Sequence, residues 1–235
     1  MPLLDHFHEP LRSRRAWTSF HSSWATYLAE DLNGELPPGY FAEQIVQFAL
    51  EIDVATWEES GGPPRAEAAA SAWEPPSPQA TLPLVVVTDV VEVRIQRLEG
   101  GPVLAGAVEL VSPGNKDRPA SRDAFVSKCA AYLQAGVALA LADIVTERRA
   151  NLLQAVLDRV SPGSRGLEAD LYAASYRPVV RQGETTLELW QEPLTVGQPL
   201  PTLPLWLRGG PCVPLRLGPT YERAVRMLRL PVNGA

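Results

Sequence analysis

Residues 107–116 read AVELVSPGNK. The stretch begins as an apolar β-type run, carries one carboxylate at Glu109, and breaks at Ser112-Pro113-Gly114. A carboxylate taken out of water costs several kcal/mol unless it is paired, protonated or bound to a cation. Glu109 therefore sits on a sheet edge or has a chemical task. Downstream, DAFVSKCAAYLQ ends at Gly136, and Phe125, Cys129, Tyr132 and Leu133 recur at helical spacing. This predicts a helix over 117–134 with Ser121 as its N-cap. VALALADIV, residues 137–145, is a continuous apolar run, as expected of a strand covered on both faces. Strand, helix and buried strand in that order define an α/β protein.

The pattern extends in both directions. Trp17, Phe20, His21, Trp24, Leu28 and Leu32 lie on one face of a helix over 17–33, stopped by Asn33-Gly34 and Pro37-Pro38. From Tyr40 to Trp57 apolar and polar residues alternate as in a strand. Residues 58–80 are small, polar and Pro-rich, an inserted loop. LPLVVVTDVVEVRIQRLEGGPVLAGAVELVSP predicts two strands joined at Glu99-Gly100-Gly101. LYAASYRPVV and TTLELWQEPL flank the turn RQGE as a further hairpin, and 150–160 suits either a short helix or more loop. The segment VGQPLPTLPLWLRGGPCVPLRLG is extended, and PTYERAVRMLRL is a terminal helix with Pro at its start. The reading is one domain over 1–235, with a core at 17–160 and a β-rich, Pro-rich C-terminal extension at 168–230.

Bulk properties narrow the classes. The chain is 46% hydrophobic, enough for a sizeable core, and its 23 prolines favour loops and extended segments. A net charge of −6 does not by itself suggest a nucleic-acid binder, though a local basic cleft is compatible with it. The two cysteines, Cys129 and Cys212, have no metal-type spacing, which makes a reduced cytoplasmic protein the default. The N-terminal MPLLDHFHEPLRSRR does not read as a signal peptide, and no apolar run approaches the ~20 residues of a membrane span. No Gly-x-Ser-x-Gly elbow is present.

Three residues carry the chemistry this order suggests: Asp53 in an early strand, Glu109 in a later one, and Lys128 in the helix that follows. Two carboxylates from adjacent strands suit a hard divalent cation, Mg²⁺ or Mn²⁺, and a nearby ammonium orients water or offsets phosphate charge. Glu92 in VEVRI is either a further metal ligand or a solvent-facing partner of Arg94. Asn115 and Lys116 suit a tight turn with a solvated lysine, and equally a phosphate contact. Asp143 reads as a paired structural carboxylate or a strand-end site residue. His21 reads as a core histidine bonded to a backbone group. His6 and His8 flank Phe7 near a mobile terminus and make no metal site alone.

The blocks SFHSSWA, LPPGYFAE, EIDVA, VVEVRI, AVELVSPGNK, FVSKCAAYLQAGV, LADIV and PLTVGQPLPTLPLWL resemble the ordered motifs of the bacterial DUF4058 family over nearly the whole chain. The middle third is also similar to Uma2-type proteins of the PD-(D/E)XK superfamily. The resemblance implies a restriction-endonuclease-like core, a central mixed β-sheet flanked by helices, and a metal-dependent nuclease site. Asp53 takes the place of the superfamily's strand aspartate and Glu109 that of its E-x-K acid. Val111 stands where that lysine usually is; in the Uma2-like pattern the lysine has moved to the next helix, and Lys128 matches it. Ile52 replaces the proline that usually precedes the aspartate. The functional expectation is a Mg²⁺- or Mn²⁺-dependent nuclease acting on DNA or RNA, with no membrane partner. The alternative is a non-catalytic binding or scaffold protein on the same fold, its Pro-rich tail forming a homodimer or partner surface.

Overall fold

The computed structural model describes residues 1–14, 16–45, 52–58, 74, 76–83 and 103–231; of Ile45, residues 52–58 and Pro83 it describes the backbone alone. The chain order is α1 (Trp17–Glu35), β1 (Tyr40–Ile45), β2 (Ile52–Glu58), β3 (Ala80–Pro83), β4 (Val103–Leu110), α2 (Pro113–Asp117), α3 (Pro119–Gln134), β5 (Ala138–Asp143), α4 (Leu152–Val160), β6 (Tyr172–Arg181), β7 (Glu184–Pro193), β8 (Thr202–Trp206), β9 (Cys212–Arg216) and α5 (Leu217–Met227). Seven of these strands form a mixed sheet in the order β1-β2-β4-β5-β6-β7-β3. Only β4 and β5 run parallel, joined by the α2–α3 crossover; the other neighbours are antiparallel. The protein is thus α/β, with a mixed sheet flanked by helices.

Each face of the sheet carries its own apolar core, because successive strand residues point to opposite sides. Val108, Leu110, Ala140, Ala142 and Ala173 pack with α1, α5 and the β8–β9 hairpin. Ala107, Val111, Leu139, Leu141, Tyr172 and Tyr176 pack with α3 and α4. Strand β5 is buried along its whole length, as its unbroken apolar run predicts.

Local chemistry sets the element ends. Helix α1 stops where Leu36 turns extended before Pro37-Pro38. Helix α3 closes in a Schellman turn: the Val137 N–H donates to Tyr132 O at 2.9 Å and the Gly136 N–H to Leu133 O at 3.0 Å, with Gly136 at φ +76°. The β6–β7 hairpin turns on Gln182 and Gly183, both at positive φ (53° and 85°), as a two-residue primed turn requires.

Several expectations are corrected. The single helix expected over 117–134 is two: α2 begins at Pro113 behind Ser112, and α3 begins at Pro119, so Ser121 lies inside a helix rather than capping it. Two prolines at successive N1 positions explain the break. The alternating stretch from Tyr40 to Trp57 contains two antiparallel strands, β1 and β2. The β6–β7 hairpin, assigned from sequence to a C-terminal extension, belongs to the main sheet beside β5. Only β8–β9 stands apart, and its Leu203, Leu205, Val213 and Leu215 face inward. The N-terminus, expected to be mobile, is docked: Leu3 is buried and exchanges backbone hydrogen bonds with Gln198 and Gly197 at 2.7 and 2.8 Å. The strand expected around Glu92 and the turn at Glu99-Gly100-Gly101 lie outside the described residues. No helix among the described residues is long and apolar enough to cross a membrane.

Candidate active site

Glu109 falls between Ala107 and Val111 on β4, so its side chain faces α3 rather than α1. It is 2% exposed. What receives it is Lys128, whose Nζ lies 2.8 Å from Glu109 Oε2. Lys128 stands on α3 among Phe125, Val126 and Cys129, all buried, and its amine is 5.5 Å from the Phe125 ring centroid. The lysine stem therefore runs along the helix–sheet interface while the amine reaches the strand. Two of the three residues singled out by the sequence thus meet directly.

The third, Asp53, lies in β2, the antiparallel neighbour of β4. The β2–β4 ladder runs inward from Glu58↔Val103 to Val54↔Val108. Asp53 is the next residue of β2 after Val54, whose partner Val108 is the residue before Glu109. The Asp53 side chain lies outside the described residues, as does Glu92.

A second acid–amine pair occupies the neighbouring strand end. Parallel pairing sets Glu109 beside Leu141, so Asp143, two residues on, projects from the same face. Its Oδ2 is 2.8 Å from Lys116 Nζ, and both side chains are fully buried. Asp143 Oδ1 also accepts the Val145 N–H at 3.1 Å. Burial pushes the Asp143 carboxyl up to about 6, against the pull of the Lys116 ammonium. The surface lysine expected at position 116 is therefore a core lysine. The chain after Pro113 coils into α2 instead of a tight turn, which swings residue 116 inward. Asn115 is likewise engaged in the helix cap: its Oδ1 accepts the Ser112 N–H at 2.8 Å and the Ser112 hydroxyl at 2.9 Å. Asp143 is paired, as its structural reading expects.

The N-terminal segment and α1 close the same end of the sheet. Asp5 accepts the Thr146 hydroxyl at 2.7 Å and the Phe7 N–H at 3.0 Å, and His8 Nδ1 lies 2.8 Å from its other oxygen. Burial works to raise the Asp5 carboxyl, but these hydrogen bonds outweigh it and hold the group below its ordinary value. His21 donates from Nε2 to Leu110 O at 3.0 Å and stacks on Trp17, centroids 5.4 Å apart and planes 18° from parallel. It is bonded to a backbone group, as its place on the apolar face of α1 predicts. What the spacing of α1 could not reveal is that this group lies one residue beyond Glu109.

Among the described residues no group of three or more His, Cys, Asp and Glu side chains is arranged to hold a metal ion. Of the carboxylates expected to hold Mg²⁺ or Mn²⁺, Glu109 is engaged with Lys128, and the side chains of Asp53 and Glu92 lie outside the described residues. No protein-family model, curated protein or solved structure matches the chain.

Proposed function

We propose that the protein is a metal-dependent phosphodiesterase of the PD-(D/E)XK type, on a restriction-endonuclease-like core akin to the DUF4058 and Uma2-type proteins, with DNA or RNA as substrate. One observation carries this reading: the Glu109 carboxylate and the Lys128 amine, 19 positions apart in sequence, converge to 2.8 Å on β4, the neighbour of the strand that carries Asp53. Asp53 and Glu109 would hold Mg²⁺ or Mn²⁺. The cation, when bound, polarises the phosphoryl oxygens and lowers the pKa of a bound water. Lys128 holds the Glu109 carboxylate in place and presents an ammonium to the charge that develops on phosphate. Lys116 and Asn115 are occupied with Asp143 and Ser112, so their part is to fix the β4–α2 connection.

A second reading rests on the closure of the same pair. With Glu109 2% and Lys128 9% exposed, the two charges satisfy each other without any cation, as in a binding or scaffold protein. Incubation of the pure protein with supercoiled plasmid, single-stranded DNA and RNA in Mg²⁺ or Mn²⁺, beside Glu109→Gln, separates the two. The nuclease reading expects cleavage that falls by about 10²–10³-fold in the variant. No cleavage of any substrate favours the scaffold, and cleavage unchanged by Glu109→Gln removes this site from the chemistry.

A further inference from the structure

We infer that His8, held by Asp5 and with Arg12 one turn further on, is a general base that cleaves RNA through attack of the ribose 2′-hydroxyl, with no need of a metal ion. The inference goes beyond the metal-dependent reading. It uses neither Glu109 nor a cation, so the two stand or fall separately.

The turn after Phe7 sets the geometry. The Arg12 N–H donates to His8 O at 3.1 Å, which closes one helical turn over 8–12. Ser13 Oγ donates to Glu9 Oε2 at 2.7 Å, so side chains four apart meet on this turn. Phe7 and Leu11 are buried and pin the turn to the core. His8 and Arg12, the next pair four apart, are exposed.

His8 Nδ1 lies 2.8 Å from Asp5 Oδ2. A carboxylate only accepts, so Nδ1 carries the proton and the lone pair of the neutral ring is on Nε2. Asp5 is itself fixed by the Thr146 hydroxyl at 2.7 Å and the Phe7 N–H at 3.0 Å, which ties the dyad to the chain just past β5. Among the described residues, the ring's hydrogen-bond contacts, to Asp5 and Thr146, are both at Nδ1, and the side chain is 59% exposed. Nε2 is thus the outward nitrogen, a base oriented by a carboxylate.

The hydroxyl beside the ring, that of Thr146, stands on the Nδ1 side and donates to Asp5. The nucleophile therefore comes with the substrate. Residues four apart on a helical turn have Cβ atoms about 5–6 Å from each other. His8 and Arg12 accordingly address one ligand that carries a hydroxyl next to an anion. RNA meets that need, because its 2′-hydroxyl adjoins the 3′-phosphodiester; DNA lacks it. Attack from within one nucleotide also supplies the orientation that an exposed site cannot impose on a free water. His8 Nε2 takes the 2′-hydroxyl proton, the bond from the 2′-oxygen to phosphorus forms, and the bond to the 5′-oxygen breaks. That oxygen leaves with a proton from solvent, while Arg12 holds the nonbridging oxygens. The products are a 2′,3′-cyclic phosphate and a 5′-hydroxyl, and the imidazolium returns its proton to water.

The test incubates the full chain, in excess EDTA, with a single-stranded oligouridylate or its 2′-O-methyl analogue. The expected result is fragments ending in 2′,3′-cyclic phosphate from the first and none from the second. His8→Ala should lower the rate by about 10²–10⁴-fold, and added imidazole should restore part of it, a rescue that a merely structural role would not show. Arg12→Gln should raise KM, and Asp5→Asn should lower kcat at unchanged KM. Both His8 and Arg12 are exposed, so their variants should keep the wild-type urea midpoint. No cleavage in EDTA by the wild type, cleavage unchanged in His8→Ala, or a loss that imidazole does not relieve overturns the inference. Each of these results leaves the Glu109 reading to its own assay in Mg²⁺ or Mn²⁺.

Discussion

Lys116 Nζ and Asp143 Oδ2 lie 2.8 Å apart with neither side chain exposed to solvent. The pair ties α2 to the end of β5, one strand away from the Glu109–Lys128 pair on the same face. Removing one member of such a pair strands the other charge in the core, at a cost of about 3–5 kcal/mol. Lys116→Met and Asp143→Leu should each destabilise by that order in urea melts, while the double variant recovers most of the loss. Additive losses would show that the two side chains do not act as a pair.

Two buried groups give acid stability opposite slopes. Burial lowers His6 from 6.5 to about 4, and its neutral Nε2 lies 2.7 Å from the Tyr221 hydroxyl. Its contribution is complete above pH 6.5 and is lost as pH falls toward 4. Asp143, raised from 3.8 to about 6, contributes below pH 3.8 and loses that contribution as pH rises through 6. Each shift corresponds to roughly 3 kcal/mol across its window. Stability relative to His6→Phe should therefore fall on acidification from pH 6.5 to 4. Relative to Asp143→Asn it should rise over pH 6 to 4. Denaturant titrations at stepped pH check both signs, and a pH-independent difference for either variant contradicts the assignment.

Lys128→Met leaves Glu109 buried without its ammonium, so it should cost stability by about 3–5 kcal/mol. Lys128→Met/Glu109→Gln should recover much of the stability and, on the proposed nuclease reading, should not cleave. Recovery of cleavage in the double variant would mean that the chemistry lies elsewhere.

Among the described residues β1 is the end strand of the sheet, and Asn33 occupies its outer side as a neighbouring strand would. The Asn33 Nδ2 donates to Ala42 O at 2.9 Å, and the Ala42 N–H donates to Asn33 Oδ1 at 2.7 Å. Removing this side chain exposes a bare edge. Asn33→Ala should lose about 1–3 kcal/mol and shift toward dimers or larger species in sedimentation. A variant as monodisperse as the wild type would show that the edge needs no guard.

Gln182 is the one non-glycine in the β6–β7 turn at φ 53°, where a side chain is unfavourable but Asn and Gly are tolerated. Gln182→Asn should raise the thermal midpoint, gaining about 0.5–1 kcal/mol. A lower midpoint would point to a contact of the glutamine side chain beyond the turn.

The elements whose signals are local were legible in the chain. Apolar spacing marked α1, the continuous run marked β5, and Arg181–Glu184 marked the hairpin turn, because periodicity and turn chemistry act over a few residues. The choice of Glu109 and Lys128 was legible too, since a lone acid in an apolar run and a lysine beside a buried stripe are each conspicuous. Tertiary structure alone decided what met what. Nothing in PGNK reveals that Lys116 turns inward, because its partner Asp143 is 27 residues away and the pairing exists only once β5 lies beside β4. Nor does the α1 pattern tell that His21 reaches the Leu110 carbonyl across 89 positions. Periodicity fixes which face of an element is buried; contacts between distant elements depend on strand order and register, which no short window of sequence contains.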